Sequence, residues 1–302
     1  MSDALLSPSV GTAFWAATLG AIGYASGKLK KNLDEKIVPL MGVLGAFIFA
    51  AQMINFTIPG TGSSGHLGGG MLLAIVLGPW AGFLVMASVL TVQALFFADG
   101  GLLALGCNIW NLGIYPCFIG LPLIYRPLTS HNQSNGRIIL ASLLSAVIGL
   151  QAGSFSVVLQ TLLSGKSELP FATFLALMQP IHLAIGLVEG VVTAGVISYV
   201  RHAKPEMLEG IPHSRPLASG SSLKRLLWVL VIVAAVTGGV VSWFASTFPD
   251  GLEWSVEKVY GKSKIPEQDQ GIAALLKGLQ EKTAVLPDYT FKDKDEHQKG
   301  EE

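Results

Sequence analysis

The chain has 302 residues, of which 51% are hydrophobic and only 13% charged, against about 25% charged in an ordinary soluble domain. Net charge is zero, which argues against the basic surplus of a nucleic-acid binder. Residues 247–302 hold eight Lys and twelve Asp or Glu, half of all the charges, so residues 1–246 carry too few to coat a soluble globule and read as a multi-span membrane domain.

The N-terminus has no basic run ahead of its first apolar stretch and carries Asp3 instead, so it is not a signal peptide. A spanning helix needs about 20 mostly apolar residues. Segments 10–27, 37–56, 101–124, 138–163, 171–200 and 225–246 meet that need. The stretch 64–98 is too long for one ordinary span, and Gly78-Pro79 interrupts it. It reads either as one kinked helix or as two helices, 66–77 and 80–97.

Charge placement decides between them, because cytoplasmic loops gather Lys and Arg. With two helices and an external N-terminus, eleven of the loop cations fall inside, among them Lys28, Lys30, Lys31, Lys36, Arg126, Arg137, Lys204 and Arg215, against Lys166 alone outside. With one helix the split is five inside and seven outside. The expectation is therefore an all-α polytopic membrane helix bundle, seven spans plus one C-terminal span, with the N-terminus and an acidic tail outside the cell. The short third helix must end in protein rather than lipid, because unpaired backbone in hydrocarbon is costly. Residues 202–223 are rich in Pro, Ser and Gly and read as a cytoplasmic linker. The units are then 1–201, the linker, and 224–302.

Six of the eleven residues from Gly60 to Gly70 are glycine, and His66 lies among them. Such a run lets backbone approach backbone or ligand closely. A neutral imidazole beside it suits Ni, Co, Zn or Cu; a hydrogen-bonded packing role, with the glycines serving helix contact, is the other reading. His182 and Glu189 stand two turns apart on one face of the seventh span. A charge at mid-bilayer is costly, so Glu189 should face the bundle interior. Asn55, Asn108, Asn111, Gln52, Gln93 and Gln160 read as interhelical hydrogen-bond partners. Cys107 and Cys117 read as packed small hydrophobes. Gly165-Lys166-Ser167 lacks the first glycine of a P-loop, since Gln160 stands there, so the chain is not expected to hydrolyse ATP. Pro249-Asp250-Gly251 is a turn signal, and Trp254 suits a membrane interface.

Long stretches add a resemblance. Leu6-Ser7-Pro8, Val38-Pro39-Leu40-Met41-Gly42-Val43, Phe47 to Phe56, Gly65-His66-Leu67-Gly68-Gly69, Gln93 to Gly101, and His182-x-x-Ile185-Gly186-x-x-Glu189-Gly190 resemble the cobalt/nickel substrate-binding membrane component of energy-coupling-factor transporters. Pro249-Asp250-Gly251-Leu252-Glu253 and Leu286-Pro287-Asp288-Tyr289 are similar to the small accessory subunit of the same systems, often fused behind that component. The resemblance implies a seven-span unit that binds one Co²⁺ or Ni²⁺ in an outward pocket, with the N-terminal segment folded back among the helices. It implies four nitrogen ligands: a terminal amine, the backbone nitrogen and imidazole of a His at position two, and the imidazole of the Gly-His-Leu motif, here His66. It implies partners as well, an energy-coupling membrane subunit and two cytoplasmic ATPases, in a prokaryotic plasma membrane, with no prosthetic group. Asp3, Asn55, Asn108, His182 and Glu189 are expected to surround and orient the ligands.

Two departures stand out. Family members begin Met-His, and in register Met1 here occupies the family's third position, so the expected donors are the Met1 amine and His66; either the start is placed two residues late or the chain is trimmed, and His182 standing in for the missing imidazole is the other reading. The accessory subunit usually has a second span, and no apolar run follows Lys292. Two other function classes compete: a stand-alone proton-coupled divalent-metal permease using His182 and Glu189, and a scaffold in which Gly60–Gly70 only packs.

Overall fold

A computed structural model describes residues 1–31, 37–130, 134–165, 169–203, 221–262 and 271–290. Lys36, Lys166, Lys204, Arg215, most of the expected linker and His297 lie outside the described residues. The long elements are helices: α1 (Pro8–Lys31), α2 (Ile37–Gln52), α3 (Gly70–Phe97), α4 (Leu105–Thr129), α5 (Asn135–Leu163), α6 (Phe171–Ala203), α7 (Ser221–Gly239), α8 (Gly251–Tyr260) and α9 (Gly271–Thr283). The protein is an all-α membrane helix bundle. Among the described residues, five helical segments are long and apolar enough to cross a membrane: α3, α4, α5, α6 and Lys224–Phe244 around α7. Helix α2 is apolar but shorter. Helix α1 is 24 residues long yet falls outside that set, because Ser, Thr, Gly and three terminal Lys dilute its apolar character.

Local chemistry starts the helices where they start. Ser7 precedes Pro8, and its hydroxyl accepts from the Val10 amide at 3.4 Å, so a capping side chain and a first-turn proline open α1 together. Ser134 opens α5 in the same way, accepting from the Arg137 amide. In α4 the stretch Trp110–Tyr125 is wound as a π-helix and contains Pro116 and Pro122, each of which removes one backbone donor.

The interrupted 64–98 stretch holds two helical arms. Gly78 sits at φ 81°, ψ 169°, a conformation essentially reserved for glycine, and Pro79 follows. A Cβ placed on Gly82 would lie 2.9 Å from the Leu73 carbonyl, which a straight helix would hold far away. The chain therefore reverses at Gly78 and lays the second arm back along the first. Residues 70–78 are buried throughout, so the first arm ends in protein, as expected.

The core centres on α3, with Leu40, Leu44 and Ile48 of α2, Met71, Phe83 and Met86 of α3, and Ile109 of α4. Helices α5 and α6 cross closely at two glycines four residues apart. A Cβ on Gly190 would lie 2.6 Å from the Leu143 Cα, and one on Gly186 2.9 Å from the Val147 Cα. Leu140, Leu144, Leu187, Val191 and Trp228 face outward, as lipid contact requires of a bundle.

The segment expected to continue the second span behaves differently. Helix α2 stops at Gln52, and the chain turns into a hairpin of β1 (Phe56–Ile58) and β2 (Ser63–Gly65). They pair antiparallel with Thr57 opposite Ser64. The glycine-rich turn between them places Gly60 and Gly62 at positive φ. Helix α3 begins only at Gly70, so His66 lies in irregular backbone between β2 and the helix rather than on it.

Candidate metal site

A cavity of about 120 Å³ opens where the N-terminal segment, the β2–α3 connection, α4, α5, α6 and the start of α8 converge. Met1, His66, Asn108, Asn111, Ser154, His182 and Asp250 are its polar or chain-terminal lining among the described residues, with Gly65 and Gly68 giving it backbone walls.

The N-terminal segment is held among the helices. Ala4, Leu5 and Leu6 are buried. The Met1 carbonyl accepts from the Gly101 amide at 3.2 Å and from Asn108 Nδ2 at 3.3 Å. Asp3 Oδ1 accepts from the Ala104 amide at 2.8 Å. Asp3 thus fixes the backbone that follows Met1 and does not itself line the cavity.

Both cavity histidines are pinned through one ring nitrogen. His66 Nδ1 lies 3.1 Å from the Leu67 carbonyl, and His182 Nδ1 lies 2.8 Å from the Met178 carbonyl. A carbonyl can only accept, so each hydrogen bond calls for the Nδ1–H form, which leaves the Nε2 lone pair for a ligand or donor. Anchoring one nitrogen while freeing the other is the usual way a metal-binding imidazole is oriented.

Glu189 shares a helix with His182 but lines a different space. It is 3% exposed, and its Oε2 accepts from the Gly68 amide at 2.8 Å. That places a carboxylate at the N-terminus of the first α3 arm, where backbone N–H groups and the helix dipole favour negative charge. Glu189, Gly68 and Asn111 line a second, smaller cavity of about 10 Å³. Gly68 is held from its other side too: its carbonyl accepts from Gln52 Nε2, and Gln52 Oε1 accepts from Gln93 Nε2 at 2.9 Å. Asn111 and Gln160 exchange two amide hydrogen bonds.

Asn55 lies away from the cavity, and its carbonyl accepts from the Ser246 amide at 2.7 Å. That contact ties the tail to the hairpin. The sequence reading did not place Asp250 at the site. The Ser64 amide donates to the Pro249 carbonyl at 2.8 Å, Ser64 Oγ donates to the Phe248 carbonyl, and Ser64 pairs with Asp250 as an isolated parallel bridge. The turn signal at Pro249-Asp250-Gly251 was the available clue, but nothing in it points two hundred residues back. Cys107 and Cys117 are free and buried, as their reading as packed hydrophobes implies.

Among the described residues, no three His, Cys, Asp or Glu side chains converge closely enough to hold an ion by themselves. An ion held in the cavity therefore draws on donors beyond these side chains, such as the Met1 amine, main chain or amides.

The family model described as the cobalt uptake substrate-specific transmembrane region matches residues 1–207, and that of the PDGLE domain matches residues 224–301. A fused nickel transport protein of Archaeoglobus fulgidus is 34% identical over 96% of this chain and 87% of its own length. A fused nickel transport protein of Rhodobacter capsulatus is 30% identical over 80% of this chain and 72% of its own. A cobalt transport protein of Sorangium cellulosum is 31% identical over 70% of this chain and 94% of its own. A crystal structure of a truncated transition metal transporter superposes with a TM-score of 0.59 at 31% identity, covering 67% of this chain and 98% of that one.

Proposed function

The chain belongs to the cobalt uptake substrate-specific transmembrane family, with a PDGLE domain behind it, and on that premise we propose that it captures Co²⁺ or Ni²⁺ for an ATP-driven energy-coupling-factor importer. The cavity shared by Met1 and His66 is the observation that carries this reading. One ion binds there, with His66 Nε2 and the Met1 amine as nitrogen donors and Asn108 and His182 at hand around them. Nitrogen donors suit Ni²⁺ and Co²⁺ alike, so the two ions compete for the same site. Asp3 and Asn108 hold the Met1 backbone, Asn55 holds the tail, and Glu189 holds Gly68; each acts by orienting the pocket.

The seven-plus-one span arrangement, with the N-terminus and the tail outside, puts the cavity on the external side. Residues 1–201 form the capture unit, 202–223 the linker, and 224–302 the accessory unit. Release inward is driven by separate partners, a coupling membrane subunit and two cytoplasmic ATPases, because the chain carries no P-loop of its own. In a proton-coupled permease Glu189 would line the ion's path; here its Oε2 is engaged by the Gly68 amide, in a cavity beside the one that holds His66.

Equilibrium dialysis of the purified chain against Ni²⁺ and Co²⁺ tests the reading. The expected result is one ion per chain, lost in His66→Ala. Binding unchanged by His66→Ala, or proton-driven uptake by vesicles containing this chain alone, overturns it.

A further inference from the structure

The cavity has an imbalance of charge. Among the described residues that line it, Asp250 is the one acidic side chain. Among the described residues, what the first 201 contribute to the lining carries no carboxylate: Met1, two imidazoles, the Asn108 and Asn111 amides, the Ser154 hydroxyl, backbone and apolar side chains. A divalent cation bound by neutral nitrogen donors keeps its full double charge, and burying such a charge uncompensated is strongly disfavoured. Glu189 lines the neighbouring cavity and not this one, with its Oε2 turned to the Gly68 amide, so its charge acts from behind that backbone.

Asp250 is placed by backbone, not by chance packing of a long side chain. The Pro249 carbonyl takes the Ser64 amide, and Asp250 itself bridges Ser64, two residues before His66. On the other side the turn rests on α6. A Cβ on Gly251 would lie 2.5 Å from Ile181 Cγ2 and 3.6 Å from His182 Cε1. The carboxylate is thus fixed between the two cavity histidines' elements. Its Oδ1 accepts from the Leu252 and Glu253 amides, both at 2.8 Å, which caps α8 and sets the side-chain rotamer.

From this arrangement we propose that Asp250 is the affinity-setting anion of the metal pocket: the accessory unit supplies the negative charge that draws a divalent cation in and offsets it once bound. The inference rests on the functional reading above and adds a residue to it. The capture unit supplies the nitrogen donors, and the tail supplies the counter-charge. The pocket is electrostatically complete only with the tail docked. Among the described residues no three acidic, cysteine or histidine side chains converge, so Asp250 acts as a neighbouring charge and an orienting partner rather than as one vertex of a carboxylate–histidine cluster.

The substitution that isolates this role is Asp250→Asn. Asparagine caps a helix about as well as aspartate, so α8 and the docked turn are retained while the charge is removed. Full-length chain in detergent is titrated with NiCl₂ by calorimetry, at low and at high ionic strength. For Asp250→Asn the expected result is a dissociation constant about 10–100-fold higher, the range found for groups that support a metal site without ligating. Salt should weaken binding to the unaltered chain more than to this variant, because screening acts on the charge that the variant lacks. Asp250→Glu, which keeps the charge, should recover part of the affinity. An Asp250→Asn variant with unaltered affinity and salt dependence, beside a His66→Ala variant that has lost binding, overturns the proposal and leaves the functional reading standing. Failure of the unaltered chain to bind NiCl₂ overturns both.

Discussion

The Gly68 amide donates a 2.8 Å hydrogen bond to Glu189 Oε2 across 121 residues of chain, and this contact ties the irregular backbone after His66 to the middle of α6. Glu189→Gln keeps an acceptor for that amide and should leave nickel binding within a few-fold. Glu189→Leu leaves a buried donor unpaired, at a cost of about 1–3 kcal/mol, and should lower the thermal unfolding temperature in detergent. Loss of binding in a folded Glu189→Gln protein would instead make the carboxylate a metal ligand.

His182 reaches the cavity from α6 with Nδ1 committed to the Met178 carbonyl. Replacement by Ala removes an orienting group and should weaken nickel binding about 10–100-fold while stoichiometry stays at one ion per chain. Calorimetric stoichiometry checks this; a chain that holds no ion at any concentration would move His182 into the ligand set.

Gly78 sits at φ 81°, ψ 169°, and the two arms of α3 depend on it. Gly78→Ala forces a side chain into a region essentially reserved for glycine, with an expected destabilisation of about 1–3 kcal/mol. The same change at Gly20 in α1, where an added Cβ meets nothing within 4 Å, should be neutral or slightly stabilising. Paired melting curves compare the two, and equal behaviour would mean that the arms reverse for another reason.

Tyr289 donates to Asp99 Oδ2 at 2.6 Å and stacks on Phe97 with ring centroids 4.9 Å apart. Gln280 adds hydrogen bonds to the Ala94 and Gly100 carbonyls. Tyr289→Phe removes one hydrogen bond and keeps the stack, so tail docking should weaken by about 0.5–1.5 kcal/mol. Limited proteolysis of the tail, with and without the substitution, reads that change. An unaffected cleavage rate would assign the docking to the remaining contacts, among them Gln280, the stacked rings and the Val285 and Leu286 amides on the Phe96 carbonyl.

Much of this architecture could be read from the residues. The charge-poor first 246 residues gave the membrane class, and Gly78-Pro79 marked where α3 breaks, because that pair is incompatible with continuous helix. His66 stood out because imidazole among glycines is chemically unusual. The β-hairpin escaped notice, since strands of three residues are too short to show alternation, and Gly60 and Gly62 equally suit helix packing. Asp250 escaped for a different reason. Its place is fixed by main-chain pairing with Ser64, a contact between residues nearly two hundred positions apart that leaves no pattern in either segment.

The contacts from Ser64 and Asn55 to the tail have a stoichiometric meaning. The Pro249 carbonyl and the Ser246 amide are main-chain groups, so the attachment does not depend on which side chains surround it. A free polypeptide with the same turn could make the same bonds but would have to be found by diffusion. Carried on the same chain, the turn is supplied one per pocket, because capture becomes an intramolecular event. Dilution in the membrane or unequal synthesis of two separate products therefore cannot leave a pocket without its partner segment.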